Sequence, residues 1–268
     1  MKEEFKNIIK VACLYMTSVI GAGFASGREI VQFFTIYYEG GFYGIVLAGF
    51  LFASVGMFVL DEVYIGRIKN YDEFLFPILG WRVGRLFEIA ATLFMLSVFY
   101  IMAAGSTRIL MDAAGLPFGC AVLITVLIYL IILSGGIRSI LFLSSVTAPL
   151  LLAGMLLTGL FIIMFKDITV INIFSELYDT THNWVFSSLL YVGYNSLISV
   201  AVMCSLLPYL KTRRTGITGG IIGGAMLCMA ALVLNYAVYL FYNESVTKEI
   251  PLIFITQKYN KTLAAVYS

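Results

Sequence analysis

One short stretch of the chain, Ile20-Gly21-Ala22-Gly23-Phe24-Ala25-Ser26-Gly27-Arg28-Glu29, holds residue types that a long apolar segment rarely contains. Gly21, Gly23 and Gly27 each cost a helix about 1 kcal/mol against alanine. Arg28 and Glu29 are adjacent charges that cost several kcal/mol inside a bilayer unless paired or wet. Backbone that leaves the helix at such a depth is tolerated only where it is buried in protein or lines a cavity. A helical piece ending near Ile20 would present free carbonyls, which suit a cation. A new helix starting near Ser26 and Gly27 would aim N–H groups at a carboxylate or other anion. Gly21, Ala22 and Gly23 would offer backbone groups to the same ligand. The competing reading is packing, since Gly23 and Gly27 form a small-xxx-small pair. Neighbouring helix positions do not face each other, so Arg28 and Glu29 are expected to pair with other helices, as a structural or gating ion pair. A proton-carrying role for Glu29 is the alternative.

A second constellation lies far along the chain, at Tyr191-Val192-Gly193-Tyr194-Asn195-Ser196 and Ser199. A glycine, an asparagine and two serines interrupt an apolar run at a depth like that of the first break. Breaks at matching places in two oppositely oriented halves point to a transporter site. Gly193, Tyr194, Asn195 and Ser196 are therefore expected to complete a substrate pocket with the first break. Ordinary interhelical hydrogen bonding by Asn195 and the serines is the competing account.

The elements that must hold these residues are membrane helices. Of the 268 residues, 61% are hydrophobic and 12% charged, about half the charge of a soluble chain. That composition excludes a disordered chain and a disulfide-stapled secreted domain. The net charge of +2 gives no reason to expect a nucleic-acid partner. The apolar runs are continuous, which indicates helices and not barrel strands. Seven segments are expected: Ile8–Tyr37, Gly41–Val63, Val83–Met111, Phe118–Leu133, Ile140–Phe165, Trp184–Leu207 and Thr215–Tyr242. After Pro251 an eighth apolar stretch begins, broken by Gln257, Lys258, Asn260 and Lys261. The outer loop Lys166–Asn183 is expected to form a short surface helix.

Orientation follows from the cations. With the N-terminus inside, the inner loops hold Lys2, Lys6, Lys10, Arg67, Lys69, Arg82, Arg85, Arg138, Lys211, Arg213 and Arg214, against Lys166, Lys248, Lys258 and Lys261 outside. The Lys211–Arg214 cluster is a topology anchor, with a lipid-headgroup site as a lesser alternative. Cys13, Cys120, Cys204 and Cys228 lie in apolar runs and are expected to be small buried hydrophobes. One histidine, His182, in a polar loop gives no basis for a zinc site. Gly216, Gly220 and Gly224, with Gly219 and Gly223, mark two tight-packing faces of the last segment. Tyr37, Tyr38, Trp81 and Trp184 fall at segment ends, where interfacial anchors are expected.

The run Gly21-Ala-Gly-Phe-Ala-Ser-Gly27, followed by Arg28-Glu29-Ile30 and Gln32-Phe33-Phe34, resembles the first-segment signature of the YkvI-like bacterial membrane proteins. These are distant members of the amino acid–polyamine–organocation superfamily, with the LeuT-type fold. The resemblance runs through the chain in segment order, and this motif is its specific part. It implies an all-α, polytopic transmembrane bundle of ten core helices in two inverted five-helix repeats, with helices one and six broken. Residues 1–165 would form the first repeat and 184–268 the start of the second, within one transmembrane domain that stops before segment eight is built. The position of Arg28 is more often glutamine in that family.

The resemblance also implies a small amino acid or amine as substrate, although one fold serves many cargoes. Tyr100 on the third segment would bond a substrate carboxylate, with Ser97 and Ser106 as weaker candidates. Carbonyls of Ile20 and Gly23 would supply half of a sodium site. The fifth segment lacks the lysine that some proton-coupled relatives carry, which favours sodium over a proton as coupling ion; no other cofactor is expected. Segments one, two, six and seven would rock against three and four.

The function expected is thus secondary active transport in a bacterial cytoplasmic membrane, through cation-coupled symport. A nutrient-sensing subunit of the same fold that does not transport is the alternative. An enzyme is not expected, for no nucleophile–base pair or metal constellation stands out. Lipid and the small-molecule substrate are the partners; oligomeric state is open.

Overall fold

A computed structural model describes residues 2–165 and 183–241, and the architecture below concerns these. The expected surface helix of residues 166–182, His182 and the stretch after Pro251 lie outside the described residues. The described chain is helical, without strands. The first segment is divided into α1 (Lys2–Val19), α2 (Ala22–Ala25) and α3 (Arg28–Phe33), followed by a 3-10 turn at Thr35–Tyr37. Then come α4 (Glu39–Ile65), α5 (Tyr71–Ala114), α6 (Phe118–Ser134), α7 (Gly136–Phe165), α8 (Trp184–Cys204) and α9 (Arg213–Tyr239). Five of these, from α4, α5, α7, α8 and α9, hold stretches long and apolar enough to cross a membrane. The helix α6 has 17 residues and falls short of that length, and the first segment is in pieces.

The core is built from α1, α4, α8 and α9, with α4 and α9 in the most extensive contact. The bilayer supplies no hydrophobic force between helices, so small residues that let backbones touch must do the packing. The two glycine faces of α9 do this. A Cβ at Gly220 would strike the backbone of Gly56 and Met57 on α4, and one at Gly216 would lie 3.0 Å from the Leu60 carbonyl. On the other face, a Cβ at Gly223 would meet Tyr15 Cδ1 at 2.6 Å and the Ala12 carbonyl at 3.1 Å. The expected tight packing of the last segment is therefore present, with α4 on one side and α1 on the other. The Tyr15 hydroxyl donates to the Phe52 carbonyl at 2.7 Å, a buried link between α1 and α4.

The helix α7 packs on α1 and α9, whereas α5 and α6 pair at the rim and meet the core at α8 and α7. Large apolar side chains such as Leu86, Leu93, Leu96 and Ile131 on the rim helices, and Phe142 and Leu150 on α7, stay exposed, as lipid-facing surfaces do. A kink at Gly80 (φ 72°) divides α5 into a short leading helix and the long one. The leading part, residues 71–79, carries Asp72, Glu73 and Pro77 and lies ahead of the segment expected from residue 83.

Two expectations need correction. The second break is absent: α8 runs without interruption from Trp184 to Cys204. The reason is local, since the Asn195 side chain donates to the Tyr191 carbonyl one turn back at 3.0 Å and so needs no unwound backbone. Cys120 is exposed and Cys228 half-buried, while Cys13 and Cys204 are buried. Cys120 sits in the first turn of α6, on a rim helix that packs on α5 and α7 among the described residues.

Candidate functional site

The break begins where α1 runs out of helix-forming residues. Thr17 and Ser18 bond back to their own helix, through the Cys13, Leu14 and Tyr15 carbonyls, a habit that weakens helices. Gly21 then follows the β-branched pair Val19 and Ile20. After the single turn of α2, Gly27 takes φ 81° ahead of α3, a left-handed conformation that strains any other residue type. Ser26 Oγ donates to the Gly23 carbonyl at 3.1 Å and lies 3.4 Å from the Arg28 amide. The Gly21 carbonyl accepts from the Ala25 amide at 3.0 Å, while no backbone amide of the described residues reaches the Ile20 carbonyl. The rim helix α5 approaches here, since a Cβ at Gly21 would stand 3.3 Å from Met102 Cε.

Glu29 is the chemical centre of this region. Its side chain folds over Gly23, so that an added Cβ there would meet Glu29 Cγ at 2.8 Å and Cδ at 2.9 Å. Its carboxylate accepts from the Tyr191 hydroxyl across 3.5 Å, and Tyr194 reaches the same carboxylate. Tyr191 is 2% exposed and sits among Phe33, Phe34, Phe52 and Tyr194, with ring centroids 5.1–5.9 Å away. A carboxyl side chain thus lies against two phenols and an aromatic wall, directly over the interrupted backbone. The expected ion pair is not formed with Arg28: among the described residues Arg28 is exposed and makes no salt bridge.

The far end of α3 is pinned from two core helices. Ser187 on α8 donates to the Phe33 carbonyl at 2.8 Å. The Thr35 hydroxyl lies 3.1 Å from the Ile30 carbonyl and 2.8 Å from Asn235 Oδ1 on α9. These bonds fix α3 against α8 and α9, and with it the position of Glu29. The hydroxyls of Ser196 and Ser199 and Nδ2 of Asn235 are buried without a hydrogen-bond partner among the described residues.

The structure therefore brings together Gly23, Ser26, Glu29 and Tyr194, with Gly21, Ala22 and Gly27 supplying the backbone between. Asn195 and Ser196 follow Tyr194 on α8; Asn195 is buried and turned into its own helix. Gly193 is exposed and has no atom within 4 Å of an added Cβ. Tyr100 stands elsewhere. It is 75% exposed and lines a groove of about 630 Å³ between α5 and α6, together with Phe99, Thr107, Tyr129 and others, none from the break. Met102, two residues on and so about 200° around the helix, is the α5 side chain that reaches the break. Tyr191 stands in the second constellation with no role expected of it, and Asn235 is not singled out by the sequence. The i, i+3 spacing of Tyr191 and Tyr194 was the available signal, because it sets both rings on one helix face. No cluster of three metal-ligating side chains occurs among the described residues.

Comparison with known proteins gives homology to two proteins of Bacillus subtilis (strain 168). The chain is 28% identical over 236 residues to the uncharacterized membrane protein YkvI, covering 85% of this chain and 65% of that one. It is 25% identical over 241 residues to the uncharacterized protein YyaD, covering 90% of this chain and 66% of that one. The chain thus spans just under two thirds of the length of the curated relatives it matches. No family model matches, and no solved structure matches. Composition, helix lengths and this homology together describe a multi-pass membrane protein with YkvI-like relatives.

Proposed function

We propose that the chain is the transport-forming part of a secondary active transporter for a small amino acid or related amine. The observation that carries this reading is Glu29 held over the interrupted first segment and against Tyr191 and Tyr194. An isolated carboxylate inside a membrane bundle is costly and marks a site for substrate, ion or proton. Here it suits the ammonium group common to amino acids and amines. The free carbonyl of Ile20 and the Gly23 carbonyl would take the coupling ion; the Gly27 amide is bonded to the Phe24 carbonyl at 3.0 Å, so the substrate carboxylate would be left to the positive end of α3 that follows it. Sodium at the Ile20 and Gly23 carbonyls, or a proton on Glu29, would couple the cycle. Tyr100 has no part in this arrangement.

The grouping of helices is compatible with the same reading. The segments expected to rock together, α1–α3, α4, α8 and α9, form one packed core; α7 lies on it through α1 and α9, α5 touches it at α8, and α6 packs on α5 and α7. A LeuT-type pair of inverted repeats, with the N-terminus in the cytoplasm of a bacterium, accommodates this division. The test is accumulation of a labelled amino acid mixture by proteoliposomes holding the protein purified from its own membrane, under an inward sodium gradient and then under a proton gradient. Accumulation under either gradient supports transport and names the ion. Saturable binding without accumulation under both overturns it in favour of a sensing subunit.

A further inference from the structure

At the end of the bundle where α4 and α8 finish and α9 starts, a cavity of about 610 Å³ is lined by Arg67, Lys69 and Lys211, with Ser205, Leu207 and Pro208 among its other walls. Three cations converge on one concave site, and no carboxylate is among its lining residues. Asp61 is held by Arg213 through two bonds, at 2.7 and 2.8 Å. Glu73 accepts from the Lys69 amide at 2.7 Å and from Asn70 Nδ2 at 3.3 Å, at the start of α5. Among the described residues, the salt bridges are Arg85–Glu88 and Arg213–Asp61, and neither uses a cation of the cavity.

The backbone presents one of these cations at a cost. Arg67 has φ 53°, a left-handed conformation that a helix end normally gives to glycine. It closes α4, with the Gly66 amide bonded to the Glu62 carbonyl at 2.7 Å and the Ile68 amide to the Val63 carbonyl at 3.2 Å. Its guanidinium lies 5.2 Å from the centre of the Tyr64 ring. The cation–π attraction steadies the guanidinium, whose N–H fork can bind an oxygen acceptor in bidentate fashion.

The geometry points to a phosphate-binding site here, in which Arg67, Lys69 and Lys211 hold a phosphate mono- or diester. Two sources share that chemistry: the headgroup of an anionic phospholipid, and a soluble phosphate. The apolar flank of Leu207, Pro208 and Leu210 would lie against the glycerol and upper chain of a lipid. The site is separate from the Glu29 region and does not depend on the transport reading.

The experiment titrates the purified protein in nonionic detergent with short-chain phosphatidylglycerol, with inorganic phosphate and with short-chain phosphatidylcholine. The variants are Arg67→Gly alone, Arg67→Gly with Lys69→Gln and Lys211→Gln, and Arg82→Gln with Arg85→Gln and Arg138→Gln as a charge-matched control away from the cavity. Arg67→Gly removes the charge and relieves the left-handed strain, so it keeps the fold. Saturable phosphatidylglycerol binding that weakens about tenfold or more in the triple variant, and keeps its wild-type strength in the control, supports the site and names a lipid. The same pattern with inorganic phosphate supports it and names a soluble source. No saturable binding of either, or binding equally strong in the triple variant or equally weakened in the control, overturns it.

Discussion

At the scale of single residues, the account rests on how Glu29 is held. Gly23 is small because the Glu29 side chain occupies the space a Cβ would take. Gly23→Ala must therefore push a flexible carboxylate away from Tyr191 and Tyr194 and leaves the helices where they are. It is expected to abolish most uptake while lowering the melting temperature by no more than a few degrees. Uptake assays paired with thermal unfolding of the same preparation check this, and unaltered uptake would contradict it. Tyr15→Phe is the opposite case. It deletes the 2.7 Å bond to the Phe52 carbonyl, which keeps its partner within α4, at about 0.5–1.5 kcal/mol of stability, and touches no bond of the carboxylate. Glycines, an arginine and a glutamate inside an apolar run made the break readable from sequence. Tyr191 was not, because a tyrosine in such a run looks like any core aromatic until its hydroxyl is seen to face a carboxylate.

Among the helices, the difference between the first segment and α8 is instructive. Both carry glycine and polar residues at mid-segment, yet only the first divides. Gly21, Gly23 and Gly27 come with two charges that have no place on a packed helix, whereas Asn195 satisfies itself on the preceding turn. Gly193 is then simply a glycine within a helix, with open space around its Cβ position. Gly193→Ala is expected to stabilise the protein by about 0.4–1 kcal/mol, seen as a higher melting temperature. Destabilisation would mean that α8 leaves the helix there. Gly220→Leu tests the packing of α4 on α9. The backbone of Gly56 stands where the new side chain must go, and overpacking costs about 1–3 kcal/mol or more. A large drop in the folded, monodisperse fraction after extraction is expected. The glycine spacing alone revealed these faces, but not that one would meet α4 and the other α1.

For the whole molecule, the helix order and most boundaries were legible, because long apolar runs between charged loops leave few alternatives. The leading part of α5 was not, since Asp72, Glu73 and Pro77 in so short a stretch resemble a loop, and its helix ends at the Gly80 kink. The association of α1, α4, α8 and α9 was outside the reach of composition too, for it depends on which glycine faces meet. The basic end is held by more than anchoring charge. Thr212 reaches Glu4 at 3.0 Å, and Arg213 clamps Asp61, which gathers α1, α4 and α9 at one end. Asp61→Asn is expected to cost no more than about 1 kcal/mol, as exposed pairs do.

The same end should face one compartment. Single cysteines replacing Lys6, Lys69 and Lys211 in a background stripped of the native cysteines would all react with an impermeant thiol reagent from the same side of sealed vesicles, and a cysteine replacing Asn183 from the other. The most direct test of the central claim compares uptake by proteoliposomes holding the wild type, Glu29→Gln, Tyr191→Phe and Tyr100→Phe. Loss in the first two variants, with Tyr100→Phe close to wild type, is the result predicted. Full uptake by Glu29→Gln, or loss in Tyr100→Phe alone, would contradict it and move the pathway to the groove between α5 and α6.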